Sequence, residues 1–191
     1  VLVPCYNPGT ELQGTLESLR AQTVPFKLFL VDDGSARPGD YEALTQGIDV
    51  SIIRLPKNLG ISGAMNAGLA QIMGYDFKYV ARLDVGDFCT PERFAKQLDY
   101  MNTHPAVGIV GSAVEFRIFN ARHTLIGSKV MFFPLTPEDA VRRLVLNVPI
   151  IHPAMLIRST VFQTLKRYSE DYPAAEDFDL LWRAHKAGFK L

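Results

Sequence analysis

The chain has 191 residues, of which 48% are apolar, and its 20 basic side chains balance its 20 acidic ones. This length and apolar content fit one globular domain with a buried core and exclude a disordered chain. Because the net charge is zero, no overall positive field attracts nucleic acid, and we expect no nucleic-acid partner. The only two cysteines, Cys5 and Cys89, are too few for a disulfide scaffold, which favours a reducing, cytoplasmic compartment.

The first half of the chain alternates between apolar runs of strand length and segments with helical periodicity. Strands are predicted over residues 1–4, 28–31, 50–55, 79–83 and 107–111. The helices between them include one that begins at a capping-box pattern at Thr10, one over 61–73, and one with Thr90 as N-cap and Pro91 in its first turn. Continuously apolar strands that alternate with helices predict an α/β fold with a Rossmann-like, mostly parallel sheet covered by helices on both faces.

The pattern changes after about Ser112. Two longer strands, 113–119 and 125–133, are predicted around a polar turn at 120–123. Helices are predicted over 137–146, 160–165 and 177–187, with a proline-bounded segment over 148–158 between the first two. We interpret residues 1–191 as one domain, with a nucleotide-binding type of first half (1–111) and a more irregular second half (112–191). No apolar run approaches the roughly 20 residues of a membrane span. The ends resemble cuts, and we expect a further element beyond Leu191.

Polar clusters follow three of the predicted strands, at residues 4–7, 32–35 and 84–87. Ligands of open α/β sheets bind beyond the carboxyl ends of the strands. Each cluster alone is typical of a turn, but four acids at two neighbouring strand ends favour a divalent cation with oxygen ligands. Neither a P-loop nor a dinucleotide-binding glycine motif is present, so we expect phosphates to be held through a metal that neutralises a diphosphate leaving group.

Two further features allow a structural and a functional interpretation. The acids Glu176, Asp177 and Asp179 precede a helical run, where they could complement the helix dipole or present a general base; spacing alone favours the first. His152 lies in an apolar stretch, where a packed and hydrogen-bonded core histidine is more common than a catalyst.

Taken together, these clusters resemble glycosyltransferase family 2, which comprises inverting sugar transferases with a GT-A fold. The resemblance spans nearly the whole chain and rests on five motifs in order: Val3-Pro4-Cys5-Tyr6-Asn7; Val31-Asp32-Asp33-Gly34-Ser35; Asn58-Leu59-Gly60 with Gly63, Asn66 and Gly68; Leu83-Asp84-Val85-Gly86-Asp87 with Pro91; and Glu176-Asp177 before Trp182-Arg183.

The resemblance implies that the first half binds a nucleoside-diphosphate sugar, most often a UDP-sugar. The donor-binding residues that it implies are Pro4, Tyr6, Asn7, Asp32, Asp33, Asn58, Gly63, Asn66, Arg82 and Asp84. It also implies Mn²⁺ or Mg²⁺ on Asp84 and Asp87. One position departs from the family pattern, because Gly86 stands where the carboxylate that directly ligates the metal is expected. Either Asp84 or Asp87 takes over that role, or the dependence on metal is weaker.

The resemblance further implies that Asp177 is the general base and that His152, Glu176 and Trp182 lie on the acceptor side. The acceptor would be a saccharide or a lipid-linked molecule in the assembly of a surface polysaccharide. Peripheral membrane association at the inner face of the plasma membrane would follow from a lipid-linked acceptor. The Gln-x-x-Arg-Trp signature of processive synthases is absent from these residues, which favours addition of a single sugar.

Two alternatives remain at this point. Gly86 motivates a nucleotide-sugar-binding module with weakened catalysis, which would bind a donor without turnover. A nucleotidyltransferase also uses a Rossmann-like sheet with acids on a metal. That alternative is disfavoured because the first loop has no glycine-rich, lysine- or arginine-bearing segment for a triphosphate.

Overall fold

A computed structural model describes residues 1–122 and 124–191. Its strands are Leu2–Cys5 (β1), Leu28–Asp32 (β2), Val50–Arg54 (β3), Tyr79–Ala81 (β4), Ile109–Val110 (β5), Val114–Phe119 (β6), Leu125–Met131 (β7) and Leu156–Arg158 (β8). Its helices are Glu11–Arg20 (α1), Tyr41–Leu44 (α2), Gly60–Ile72 (α3), Arg93–Thr103 (α4), Pro137–Leu144 (α5), Ser159–Leu165 (α6) and Glu176–Lys186 (α7), with a 3₁₀ turn at His152–Ala154.

The first three strands form the parallel sheet that the apolar runs predict. β2 pairs with β1 and β3 in parallel register, with Leu2 opposite Phe29 and Leu28 opposite Val50. A parallel bridge between Leu2 and Arg82 attaches the end of β4 beside β1. Every residue of β1 and β2 is buried, because helices cover both faces. The carboxyl ends of β1, β2 and β4 therefore meet at one edge.

One strand inside the sheet was not expected. β8 pairs antiparallel with both β4 and β5, so β5 does not join β4 directly. The sequence indicates only a proline-bounded segment there, because a strand of three residues is too short to show periodicity. The predicted strand over 107–111 is correspondingly short, and Ile109–Val110 is the part that pairs with β8.

Helix α3 lies close against the sheet because Gly68 has no side chain. A Cβ atom on Gly68 would come within 2.3 Å of Leu2 Cδ1 and 3.0 Å of Val31 Cγ2. Both neighbours are fully buried and have no free space to move into. The glycine thus sets the distance between this helix and the two strands that lead to the polar edge.

Two predicted helix caps differ from the structure. Helix α1 begins directly after Thr10, as predicted, but Thr10 has helical backbone angles and makes no side-chain capping bond. The helix predicted to begin at Pro91 begins at Arg93, and the amide N–H of Phe94 donates to Gln22 Oε1 at 3.3 Å. Gln22, two residues beyond the end of α1, therefore supplies the cap that Thr90 was expected to supply.

Strands β6 and β7 form the predicted antiparallel hairpin. Val114 lies opposite Met131, and the register shifts between Ile118 and Phe119. Of the predicted turn at 120–123, His123 lies outside the described residues. Within residues 1–122 and 124–191, no helix is long and apolar enough to cross a membrane.

Candidate active site

The loops that follow β1 and β2 are bonded to each other at the polar edge. The Asn7 N–H donates to Ser35 Oγ at 2.7 Å, and the Arg37 N–H donates to Asn7 Oδ1 at 3.0 Å. The Ser35 N–H in turn donates to Asp32 Oδ1 at 3.0 Å. Asn7 therefore holds the two loops together, while the ring of Tyr6 beside it remains 52% exposed.

Asp32 and Asp33 are buried beneath these two loops. Asp33 Oδ1 accepts a 2.7 Å hydrogen bond from the Leu59 N–H, which ties β2 to the start of α3. The turn needs a glycine after the two acids, because Gly34 has a φ of +70° and a Cβ there would lie 2.3 Å from the Lys57 carbonyl carbon. The acid pair is thus fixed in place before any ligand arrives.

Cys5 and Asn58 complete this part of the edge. Burial raises the pKa of the Cys5 thiol to about 11, and the charges of Asp32 and Asp33 contribute to the rise. Cys5 is therefore a protonated, packed side chain. Asn58 Oδ1 accepts a 3.0 Å bond from the Gly60 N–H, which shapes the turn into α3.

Arg82 is a fully buried cation at the end of β4. Its Nη2 donates to Asp84 Oδ1 at 2.5 Å, and its Nη1 donates to the Leu83 carbonyl at 2.6 Å. Its Nε has no partner among the described residues. The Arg82 carbonyl accepts a 2.9 Å bond from Arg93 Nη2, which anchors β4 to α4. Arg82 therefore orients the Asp84 carboxylate, whose side chain is 38% exposed.

The turn from Asp84 to Asp87 contains the departure from the family pattern. Gly86 has a φ of +92°, a conformation that other residues rarely adopt. Its N–H donates to Thr15 Oγ1 at 2.9 Å, and that hydroxyl donates to the Asp87 carbonyl at 3.0 Å. Thr15 on α1 thus holds the turn in this shape.

Asp84 and Asp87 are the two acids of this turn that could hold a cation shared with phosphates. Burial raises the pKa of Asp87, and the negative charge of Asp84 raises it further, so a nearby cation would relieve the repulsion. The described residues contain no group of three or more His, Cys, Asp or Glu side chains able to hold a metal. Mg²⁺ is typically bound by one or two carboxylates together with substrate phosphates, which is the donor set available here.

A second cluster lies beside Arg82 and consists of His152, Tyr168 and Glu176. His152 Nε2 and the Tyr168 hydroxyl are 3.0 Å apart, and His152 Nδ1 lies 3.8 Å from Glu176 Oε1. Burial lowers the pKa of His152 well below its usual range, and the Arg82 charge lowers it further. The imidazole is therefore neutral at pH 7. Glu176 Oε2 is buried without a partner among the described residues.

Tyr168 is a member of this cluster that sequence analysis missed. It is fully buried, although it follows Lys166 and Arg167 and precedes Ser169. A single aromatic residue within a polar run is the signal that could have indicated it. Burial raises the pKa of the Tyr168 hydroxyl far above its usual value, so the phenol stays protonated.

Asp177 follows Glu176 in the first turn of α7. Its Oδ1 accepts a 2.7 Å bond from the Phe178 N–H, and its side chain is half-buried. Its negative charge contributes to the raised pKa of Tyr168. Asp177 is the next residue along α7 after Glu176, whose carboxylate lies 3.8 Å from His152.

Four other predicted site residues make structural contacts in the fold. Asn66 donates to the Tyr168 carbonyl at 3.1 Å and accepts from the Tyr168 N–H at 2.8 Å, so its amide joins α3 to that loop. Pro4 is buried within β1, and Gly63 lies against Leu59, whose Cβ would be 2.5 Å from an added Cβ. The ring of Trp182 lies under the Lys186 ammonium, which is in the last turn of α7.

Known proteins resemble this chain in sequence and in fold. The model of the family described as "Glycosyl transferase family 2" matches residues 1–165. The amylovoran biosynthesis glycosyltransferase AmsE of Erwinia amylovora is 39% identical over 120 residues, which are 60% of this chain and 44% of that protein. The chain therefore spans less than half the length of this relative.

Two solved structures share the fold. The mannosyltransferase PcManGT of Pyrobaculum calidifontis, in complex with GDP-Man and Mn²⁺, superposes with a TM-score of 0.73 at 16% identity, covering 99% of this chain and 52% of that one. S. aureus TarS 1-349, in complex with UDP-GlcNAc, superposes with a TM-score of 0.69 at 19% identity, covering 96% of this chain and 52% of that one. The fold is thus the α/β GT-A fold, and the chain belongs to glycosyl transferase family 2.

Proposed function

We propose that this chain acts as an inverting glycosyltransferase that moves a sugar from a UDP-sugar to a saccharide or lipid-linked acceptor in surface polysaccharide assembly. The observation that carries the proposal is a series of contacts from the end of β4 to the first turn of α7. Arg82 bonds to Asp84 and its charge acts on His152, and His152 lies 3.8 Å from Glu176, the residue before Asp177. Family membership and the amylovoran function in the name of a relative support it.

The donor would lie over the ends of β1, β2 and β4, within one domain whose residues 1–111 bind it. The exposed ring of Tyr6 offers a surface for a base to stack on, next to the buried acids Asp32 and Asp33. The neighbours in complex with UDP-GlcNAc and with GDP-Man support a nucleoside-diphosphate sugar as donor, and uridine is the base that we propose. Mn²⁺ or Mg²⁺ held by Asp84 and Asp87 would supply charge neutralisation for the diphosphate.

The acceptor would lie in the second half, residues 112–191, against His152, Glu176 and Asp177. Asp177 takes the proton from the acceptor hydroxyl while that oxygen forms a bond to the anomeric carbon. The bond from that carbon to the diphosphate oxygen breaks on the opposite face, so the configuration inverts. His152, being neutral, adds no positive charge beside the Asp177 carboxylate. Arg82 keeps Asp84 directed to the donor side.

Asp177→Asn tests the base assignment against a matched control. The variant keeps size and hydrogen bonding but cannot accept the proton, so we expect turnover to fall by about 10²–10⁴ with donor binding retained. Asp179→Asn alters an acid in the same helical turn that pairs with Arg183 at 2.7 Å, and we expect it to remain active. The assay is release of UDP from a panel of UDP-sugars, with water or added saccharides as acceptor. Full activity of Asp177→Asn would exclude Asp177 as the base.

Calorimetric titration of UDP with and without Mn²⁺ tests the donor site separately. We expect binding that strengthens with Mn²⁺. Donor binding without turnover under any metal would favour the alternative of a binding module. Turnover only with nucleoside triphosphates would favour a nucleotidyltransferase.

A further inference from the structure

The β6–β7 hairpin exposes large apolar side chains at its end. Phe119, Leu125 and Ile126, here called the hairpin tip, are 55%, 51% and 63% exposed. Phe116 and Ile118 continue the exposed apolar surface along β6. An antiparallel ribbon normally buries one face and leaves a polar face in water. A hairpin with so much exposed apolar surface therefore needs a partner.

The tip is apolar on both faces of the ribbon. Residues directly opposite each other share a face, so Ile118 and Gly127 lie on one side. The register shift after Ile118 places Phe119 opposite Leu125 on the other side. A folded protein partner would cover one face of such a ribbon, whereas a fluid apolar medium can surround both.

The charge around the tip is positive, although the chain as a whole is neutral. Residues 113–131 include the cations Arg117, Arg122 and Lys129 and a single acid, Glu115. Glu115 pairs with Arg117 at 3.1 Å. Within the part of the chain that the structure describes, Arg122 and Lys129 have no acidic partner.

We infer that the hairpin tip inserts into the surface of a bilayer that contains anionic phospholipids. Apolar side chains enter the boundary between headgroups and acyl chains to a depth of about 5–10 Å, a depth that the tip of a two-stranded ribbon can reach. Lys129, four residues behind Leu125 along β7, then lies at the level of the lipid phosphates, and the long side chain of Arg122, in the turn beyond the tip, reaches back to them. This inference is independent of the proposed catalytic function, because it rests on the hairpin alone.

Co-sedimentation with lipid vesicles tests the inference. Vesicles of phosphatidylglycerol and phosphatidylethanolamine in equal parts are compared with vesicles of phosphatidylcholine, which have no net charge. We expect the chain to bind the anionic vesicles more tightly and to lose affinity as salt is added. The double variant Phe119→Ser/Ile126→Ser should bind them about ten- to a hundredfold more weakly, because it removes two inserted apolar side chains. Arg122→Gln/Lys129→Gln should weaken binding by about tenfold or more.

Matched controls separate insertion from general effects. Tyr172→Ser removes an exposed aromatic residue outside the hairpin, and Lys96→Gln/Lys186→Gln removes two cations from α4 and α7. Both should bind anionic vesicles as the unaltered chain does. Thermal unfolding followed by circular dichroism verifies that every variant is folded.

Fluorescence gives a direct measurement of contact with lipid. The only natural tryptophan, Trp182, lies on α7, so Ile126→Trp introduces a reporter at the tip. Brominated lipids should quench the added fluorescence of that variant but leave the fluorescence of the unaltered chain unchanged. Vesicle binding that survives Phe119→Ser/Ile126→Ser, or an unquenched Ile126→Trp, overturns the inference. Absence of vesicle binding together with self-association that this double variant abolishes would instead make a second copy the partner.

Discussion

Gly86 offers the sharpest test of how backbone shape and metal chemistry are related in this site. Its φ of +92° suits glycine, and its N–H bonds to Thr15. Gly86→Ala adds a side chain without adding a charge. Gly86→Asp adds the carboxylate that the family pattern carries at this position. A comparison of the two variants separates backbone strain from the effect of the acid.

The size of the strain follows from the geometry. A Cβ on Gly86 would have Glu11 Cβ as its nearest neighbour, at 3.9 Å, so no steric overlap adds to the cost. Only the left-handed backbone contributes, at about 1–2 kcal/mol for a residue such as alanine. Aspartate tolerates this region better, so its cost should be somewhat smaller. Gly127→Ala is the matched control, because an added Cβ there has no atom within 4 Å and the backbone is unstrained.

Urea unfolding followed by circular dichroism measures the cost. We expect Gly86→Ala to lower the free energy of unfolding by about 1–2 kcal/mol and Gly127→Ala to leave it within about 0.5 kcal/mol. An unchanged stability of Gly86→Ala would refute the inferred backbone conformation. In calorimetry, Gly86→Asp should increase the dependence of UDP binding on Mn²⁺, because a third carboxylate joins Asp84 and Asp87. If Gly86→Ala produced the same increase, the added acid would not be its cause.

Three further predictions concern packing, acid stability and the buried cation. Gly14→Ala should stabilise α1 by about 0.5–1 kcal/mol, because the exposed ring of Phe88 beside it can move aside. Gly68→Ala should destabilise the fold by about 1–3 kcal/mol, because its Cβ would overlap with buried side chains. Urea unfolding compares the two variants, and equal stabilities would contradict the packing argument. Because the pKa of His152 is depressed by burial, the unfolded chain takes up a proton that the folded chain does not, so stability should fall as pH decreases below about 6.5, by up to about 1.4 kcal/mol per pH unit. His152→Gln should reduce this slope in unfolding measured from pH 7 to pH 5, where the buried amino group of Val1, with its pKa lowered to about 5, adds a slope of the same sign; an unchanged slope would remove His152 as a cause. Arg82→Lys replaces the two nitrogens that bond Asp84 and the Leu83 carbonyl with a single ammonium nitrogen. We expect about 1–3 kcal/mol lower stability and weaker UDP binding, measured by unfolding and calorimetry; unchanged values in both would remove Arg82 from its orienting role.

The sequence predicted well the elements whose signal is local. The run Leu28-Phe29-Leu30-Val31 is apolar throughout because helices cover both faces of its strand, and the structure has it as β2. The stripe of leucines in α1 is likewise buried as its spacing predicts. The cap of α4 could not be predicted in the same way, because Gln22 reaches it from 72 residues away.

The candidate site also combines features that the sequence predicts with contacts that it does not. The sequence was sufficient to select the acids that follow strands or begin a helix, because ligands of α/β sheets bind at those positions; these acids are at 32–33, 84, 87 and 176–177. Their roles were harder to assign. Asn66 matched a family motif, yet its amide bonds to Tyr168, which is 102 residues away in the chain.

By itself, the sequence determined the alternation of strands and helices, the parallel first half and the edge at which the polar clusters meet. These follow from hydrophobic periodicity and turn chemistry, which act over a few residues. Only the tertiary structure decided that β8 separates β4 from β5, that Arg82 orients Asp84, and that Tyr168 and Glu176 enclose a neutral His152. These features depend on burial and on contacts between distant segments, and such long-range contacts leave no periodic pattern in the chain.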